Sequence, residues 1–179
     1  MALMHYPVTD KNGEVICSAV TNLDLHDMAR AARTYGVSRF YVVTPLEDQK
    51  ILAQRIVDHW VTGPGSKYNP KRKQAISLVM ITDNLEQAIR EIEQETGEAP
   101  EIVVTDARPQ AKSMDYAGYR AHMDKGKPCI LVFGTAWGMT KEFIETADIV
   151  LDPIIGPTDY NHLSVRSAAS IILDRLLGR

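Results

Sequence analysis

The sequence predicts an α/β fold, a mostly parallel six-stranded sheet with helices on both faces, in a single domain covering residues 1–179. Three observations predict it. Short apolar, β-branched runs alternate with helical patterns almost to the last residue, which implies parallel strands joined by covering helices. A chain of 179 residues is long enough for one well-buried core and too short for two comfortable ones. No internal repeat, low-complexity tract or linker divides it.

Taken in order, Val15–Val20 reads as the first strand, and Leu23–Gly36 as a helix stopped by Gly36, which accepts left-handed backbone. Arg39–Thr44 reads as the second strand, with Pro45 and Leu46 leading into a helix that reaches about Trp60. The turn-rich Thr62–Asn69 reads as a loop. Ile76–Ile81 is the third strand, and Asp83 or Asn84 caps a helix to about Thr96. Glu101–Thr105 is the fourth strand, followed by a helix over roughly Ser113–Lys125 and a fifth strand, Cys129–Phe133. A short helix near Thr140–Glu145 precedes the sixth strand, Asp148–Leu151, and a helix from Leu163 to Leu177 closes the chain.

Composition excludes several classes. A content of 45% hydrophobic and 24% charged residues excludes a disordered or fibrous chain. The longest apolar runs are strand-sized, far short of a membrane span, and no charged start followed by an apolar stretch marks a secretion signal. Cys17 and Cys129 each sit in an apolar run and read as free thiols of a reducing compartment, so a cytoplasmic location is expected. A net charge of −3 argues against a surface that is basic all over. Between Asp58 and Asp83, however, there is no acidic residue, while Lys67, Lys71, Arg72 and Lys73 cluster. That patch reads either as a solvated loop or as a surface for phosphates.

Ligands of such sheets sit beyond the carboxyl ends of the strands. Four loops lie there: Thr21–Asp24, Thr105–Pro109, Gly134–Gly138 and Asp152–His162. Gly134 and Gly138 bracket a turn that either is merely tight or lets backbone approach a ligand. It is neither GxGxxG nor a GK[ST] loop, and it follows the fifth strand rather than the first, which disfavours a dinucleotide fold. The Asp152–His162 loop holds two prolines and a glycine, with Ile154 and Ile155 inside it. It reads as a stiff loop tucked against the protein, offering backbone groups to something flat and apolar. The helix after it carries Ser167, Ala168, Ala169 and Ser170, whose small size fits either a self-association face or helix propensity alone. The five histidines are scattered and neither cysteine has a partner at ligand spacing, so no metal site is expected. A GxSxG elbow is absent, leaving an α/β hydrolase unsupported.

Together these loops resemble the SPOUT class of methyltransferases, and in particular a bacterial branch of SAM-dependent RNA methyltransferases. Leu131–Met139 (LVFGTAWGM) resembles the second motif of that class, and Asp152–Leu173 (DPIIGPTDYNHLSVRSAASIIL) resembles the third. In the third, Leu163, Ser164 and Val165 match, His162 stands at the asparagine position, and Asn161 lies one residue early. Ala29–Val37 (ARAARTYGV) resembles the first motif, with Arg30, Ala32, Tyr35 and Gly36 matching. The asparagine that normally precedes it falls at Asp24.

The resemblance covers essentially the whole chain and implies a C-terminal trefoil knot over about residues 101–179. It implies S-adenosyl-L-methionine held mainly by backbone groups at Thr105, Gly134, Gly138, Ile154, Gly156, Tyr160, Asn161 and Leu163. Arg30 is the implied catalytic residue, and Asp24 the next candidate, as a carboxylate base. A guanidinium cannot act as a base in its charged form, so phosphate binding or stabilisation of developing charge suits Arg30 better. Lys67, Lys71, Arg72, Lys73 and Arg166 would line the path of an RNA substrate (transfer or ribosomal). A homodimer through the knot region and the C-terminal helix is implied as well. The rival readings are a nucleotide- or flavin-binding enzyme of doubly wound type and a non-catalytic RNA- or protein-binding module that keeps the knotted fold.

Overall fold

The computed structural model describes residues 1–179. In chain order the elements are β1 (Ala2–Met4), β2 (Val8–Thr9), β3 (Val15–Ile16), α1 (Asn22–Thr34), β4 (Phe40–Val43), α2 (Glu47–Val61), α3 (Gly65–Tyr68), α4 (Pro70–Ile76) and β5 (Val79–Thr82). They continue as α5 (Leu85–Thr96), β6 (Glu101–Thr105), β7 (Ser113–Met114), α6 (Tyr116–Met123), β8 (Cys129–Gly134), α7 (Lys141–Glu145), β9 (Ile149–Leu151) and α8 (Val165–Leu177).

Seven strands form one parallel sheet in the order β5-β4-β1-β8-β6-β9-β7, and β2 pairs with β3 as a small antiparallel hairpin. Side chains alternate between faces along each strand. Leu3, Phe40, Val42, Leu131 and Phe133 join a core under α1, α2, α4, α6 and α8. Ala2, Met4, Tyr41, Val43, Ile130 and Val132 join a second core under α5, α7 and the hairpin. Local sequence signals set the helix starts. Thr21, Asn84, Asp115, Thr140 and Ser164 each accept a backbone N–H of the first turn, satisfying a donor that the helix itself leaves free.

The architecture agrees with the expected α/β class, with four corrections. The main sheet has seven strands, not six. Val15–Val20 is not its first strand. Val15 and Ile16 pair with Val8 and Thr9 in the hairpin, and the strand that enters the sheet is Ala2–Met4. A three-residue strand offers no periodicity to read, whereas the apolar stretch at Val15 mimics one. The span Thr62–Asn69 contains α3, and Ile76 closes α4 rather than opening a strand. Ser113 and Met114 form an edge strand, so the next helix starts only after its Asp115 cap. Cys17 and Cys129 are free and half-buried. No helix is long and apolar enough to cross a membrane.

Leu3 is fully buried in the middle of β1. Leu3→Ala is expected to cost about 3 kcal/mol of unfolding free energy, through lost transfer energy plus a residual cavity. Urea unfolding followed by circular dichroism measures it, and a loss below about 1 kcal/mol would mean that β1 is not a core strand.

Candidate functional site

Because the strands run parallel, the loops after β6, β8 and β9 emerge at the same end of the sheet. Three contacts draw them together. The Asn161 amide donates to the Ala107 carbonyl at 2.7 Å, and the Trp137 and His162 rings lie 6.0 Å apart between centroids. Thr105 Oγ1 donates to the Val132 carbonyl at 3.1 Å. The base of the β9 loop is pinned where Asp152 N–H donates to Met114 O and the Tyr116 hydroxyl donates to Asp152 O. Thr105, Gly134, Gly138 and Asn161 therefore belong to one constellation.

The turn after β8 requires its glycines. A Cβ on Gly134 would stand 3.0 Å from Met139 N, and Gly138 has φ +102°. Ala136, with φ +52°, is in left-handed backbone without being glycine, a conformation that surroundings must hold in place. The hairpin supplies one clamp: Thr9 N–H donates to Gly138 O at 2.9 Å, and Trp137 N–H to Thr9 O at 3.1 Å. Thr135 supplies another, its hydroxyl donating to Met4 O at the end of β1.

The β9 loop is less tucked in than its composition predicts. Ile154 packs against the core, but Ile155 and Tyr160 are both 71% exposed, and Gly156, Asn161, His162 and Leu163 are exposed as well. The backbone N–H groups of Ile154, Ile155 and Gly156 donate to no group of the chain, and space stands open where a Gly156 Cβ would be.

Beside these loops, α1 and α8 border an open groove of about 660 Å³ lined by Asp27, Arg30, Thr34, Tyr35, Ser164 and Arg166, among others. Arg30 is exposed there and makes no ion pair. Asp24 is buried, and Arg166 Nη1 meets its Oδ1 at 2.7 Å while Arg166 Nε lies 3.6 Å from Asp27 Oδ2. Two residues expected in separate roles, base and RNA contact, are thus partners of each other. Of the small residues on α8, Ala169 is buried in its own core, leaving Ser167 and Ser170 exposed.

The basic patch lies on helices rather than on a loop. Lys67, Lys71 and Lys73 are exposed, and the Arg72 guanidinium sits 4.5 Å above the Trp60 ring. His26 of α1 stands edge-on to the same ring at 5.4 Å. Its pKa is lowered, first by burial and then by the charge of Arg72, with Arg30 adding to the effect against Asp27. One histidine therefore feels both Arg72 and Arg30, which links the patch to the groove.

Sequence reasoning missed His5 and Ser18. His5 directly follows β1, is fully buried, and its Nδ1 lies 2.9 Å from Ser18 Oγ, which lies 2.5 Å from Thr135 Oγ1. Burial holds its pKa down at about 4, against opposing pulls from the Asp24 charge and the Ser18 backbone. No sequence signal marks it, since it follows a strand too short to be read.

Residues 1–178 match the family model described as SAM-dependent RNA methyltransferase. A protein of Aquifex aeolicus is 42% identical over 180 residues, covering 100% of this chain and 88% of that protein. A tRNA (guanine-N(1)-)-methyltransferase of Oleidesulfovibrio alaskensis is 44% identical over 177 residues, covering 99% of this chain. The chain spans 41% of that relative's length. Among solved structures, the SpoU methyltransferase AviRb of Streptomyces viridochromogenes, in complex with AdoMet, is similar in fold with a TM-score of 0.58. It is 16% identical, over 99% of this chain and 56% of that one.

The depressed His5 pKa makes a stability prediction. An unfolded His5 takes up its proton below about pH 6.5, the folded one only near pH 4. Its contribution is therefore complete above pH 6.5 and lost as the pH falls towards 4, by on the order of 3 kcal/mol. Denaturant unfolding across that range is expected to show the slope in the wild type and a flatter one in His5→Asn; equal slopes would count against a neutral buried imidazole.

Proposed function

Because the chain belongs to the family of SAM-dependent RNA methyltransferases, we propose that its sheet-end loops hold S-adenosylmethionine and that α1, α4 and α8 present the RNA beside it. The observation that carries this reading is the convergence of the β6, β8 and β9 loops next to the groove bearing Arg30. The residues fit the cofactor. Free backbone donors at Ile154–Gly156, the glycine turn, and the rings of Trp137 and Tyr160 offer a flat, largely neutral surface. Thr105, Gly134, Gly138, Ile154, Gly156, Tyr160, Asn161 and Leu163 would hold it. When bound, it supplies a methyl group on a positively charged sulfur.

The chain's own residues then have to orient the RNA nucleophile in line and manage its proton. Arg30, exposed and without an ion-pair partner, binds phosphate or stabilises developing negative charge. Asp24 is engaged by Arg166 and becomes free to accept a proton only when that guanidinium turns to an RNA phosphate. Lys67, Lys71, Arg72 and Lys73 extend the phosphate track along α3 and α4. The tRNA named for the relative belongs to a protein more than twice this length, so the RNA class is left at RNA.

Three further features belong to the same proposal: a trefoil knot over about residues 101–179, a homodimer through the knot region and the C-terminal helix α8, and a cytoplasmic location. Support for the knot comes from the β9 loop reaching back over the β6 loop through Asn161 and Ala107. Support for the dimer comes from exposed Ser167 and Ser170, small residues on the stretch of α8 that also borders the Arg30 groove, so a second copy seated there would adjoin the RNA path.

Arg30→Ala is expected to lower RNA methylation by about 100-fold or more while leaving S-adenosylmethionine binding unchanged. Deletion of Ile154–Gly156 is expected to abolish the binding itself. Calorimetric titration and a tritium-transfer assay separate the two, and wild-type turnover by Arg30→Ala would remove that residue from the reaction. A double substitution, Ser167→Arg with Ser170→Arg, is expected to convert a dimer to a monomer in sedimentation velocity. A wild-type chain that sediments as a monomer sinks the dimer.

A further inference from the structure

We infer that His5 is a positioning residue: acting through Ser18 and Thr135, it fixes the turn Gly134–Gly138 in the shape that receives S-adenosylmethionine. The inference rests on the reading that this turn holds the cofactor.

The hydrogen bonds can run in one direction only. The Met4 carbonyl accepts and cannot donate, so the Thr135 hydroxyl spends its single proton there, at 2.9 Å. The 2.5 Å contact between Thr135 Oγ1 and Ser18 Oγ must then be bridged by the Ser18 proton. With that proton used, Ser18 Oγ can only accept from the ring nitrogen 2.9 Å away, which makes His5 the Nδ1–H tautomer. Ser18 N–H in turn donates to His5 O at 2.8 Å, so the two residues hold each other at both backbone and side chain. Three protons thus point from β1, through the segment after the hairpin, into the turn, and back to β1.

What the chain of bonds fixes is the second residue of a turn that is unfavourable on its own. Ala136 follows Thr135 at φ +52°, and Gly138 takes φ +102° two residues later. Thr9 holds the far side of the turn by its backbone, and Thr135 holds the near side. Without the Thr135 anchor, Ala136 is free to relax to ordinary backbone, and the peptide planes facing the cofactor rotate with it. His5 Nε2 is buried and has no partner, a cost that an apolar side chain of similar size would avoid. The imidazole is therefore retained for its Nδ1 donor rather than for filling space.

The test compares His5→Asn, whose side-chain amide N–H stands near the Nδ1 position, with His5→Leu, which has no donor. Nitrogen-15 NMR of the wild type, without ligand, is expected to show the proton on Nδ1. His5→Leu is expected to bind S-adenosylmethionine about tenfold more weakly in calorimetry, and its KM for the cofactor is expected to rise to match. Its kcat at saturating cofactor should stay within about threefold of wild type, and His5→Asn should recover most of the lost affinity. Should His5→Leu fail to fold, Ser18→Ala, at a half-buried position, cuts the same chain and is read the same way. An Nε2–H tautomer, wild-type affinity in His5→Leu, or a His5→Asn as weak as His5→Leu each overturns the inference. Gly138→Val, measured alongside, examines the underlying reading. Undiminished cofactor binding there removes the turn from the cofactor site, and the inference with it. Weak binding there, with normal binding in His5→Leu, overturns the inference alone.

Discussion

Three residues join the two halves of this sheet. Ala2, Leu3 and Met4 pair in parallel with Tyr41, Val42 and Val43 on one side and with Val132, Phe133 and Gly134 on the other. Without them β4 and β5 have no hydrogen-bonded link to β8, β6, β9 and β7. Strands taken up so deeply must be apolar on both faces, and here they are: Leu3 contributes to one core, Ala2 and Met4 to the other. The consequence extends beyond packing. Placing β1 beside β8 brings the end of β1 level with the glycine turn, so Met4 O and His5 are within reach of Thr135 and Ser18.

The same strand marks the limit of what could be read from residues alone. Phe40–Val43, Glu101–Thr105 and Cys129–Gly134 were legible as strands because each is a run of four or more residues, mostly apolar and β-branched or aromatic. The cap at Asn84, read from the sequence as Asp83 or Asn84, was legible because a short polar side chain before a helical pattern has one obvious local use. Ala2–Met4 and Ser113–Met114 are too short for any period to show, and their pairing is decided by partners more than 30 residues away. The glycine turn and the proline-rich loop stood out by composition, whereas their bracing did not. Thr9, Ser18 and His5 act through long-range contacts that leave no trace in local pattern.

Charge is arranged with equal economy on the helix side. α1 packs between α4, with its basic patch, and α8, with Arg166. His26 feels both Arg72 and Arg30, so the cations of α4 and α1 share one stretch of surface. Asp24 is the exception, a carboxylate buried under this basic face. A buried charge is tolerable only with a partner, and Arg166 at 2.7 Å provides it. The pairing makes Asp24 and Arg166 a single electrostatic unit. The role proposed for Asp24 as a base therefore requires Arg166 to be drawn off the carboxylate, as an RNA phosphate would do.

The end of the sheet proposed to hold the cofactor calls for the opposite chemistry. A sulfonium carries a positive charge, so guanidinium or ammonium groups close to it would repel it in a poorly screened pocket. Near the glycine turn stands Arg108, whose Nη2 is 3.6 Å from where a Gly138 Cβ would be. That charge is answered by Asp106, which accepts from Arg108 Nε at 3.2 Å and Nη2 at 3.1 Å. The rest of the turn is held by neutral groups: threonine and serine hydroxyls, backbone amides, and an imidazole that burial keeps uncharged. A lysine or arginine brace in place of the hydroxyl chain would hold the turn as firmly and oppose the ligand it shapes. The fold separates the two kinds of group by element, with cations on the helices, where the RNA track is proposed, and neutral donors at the sheet end, where S-adenosylmethionine is proposed to bind.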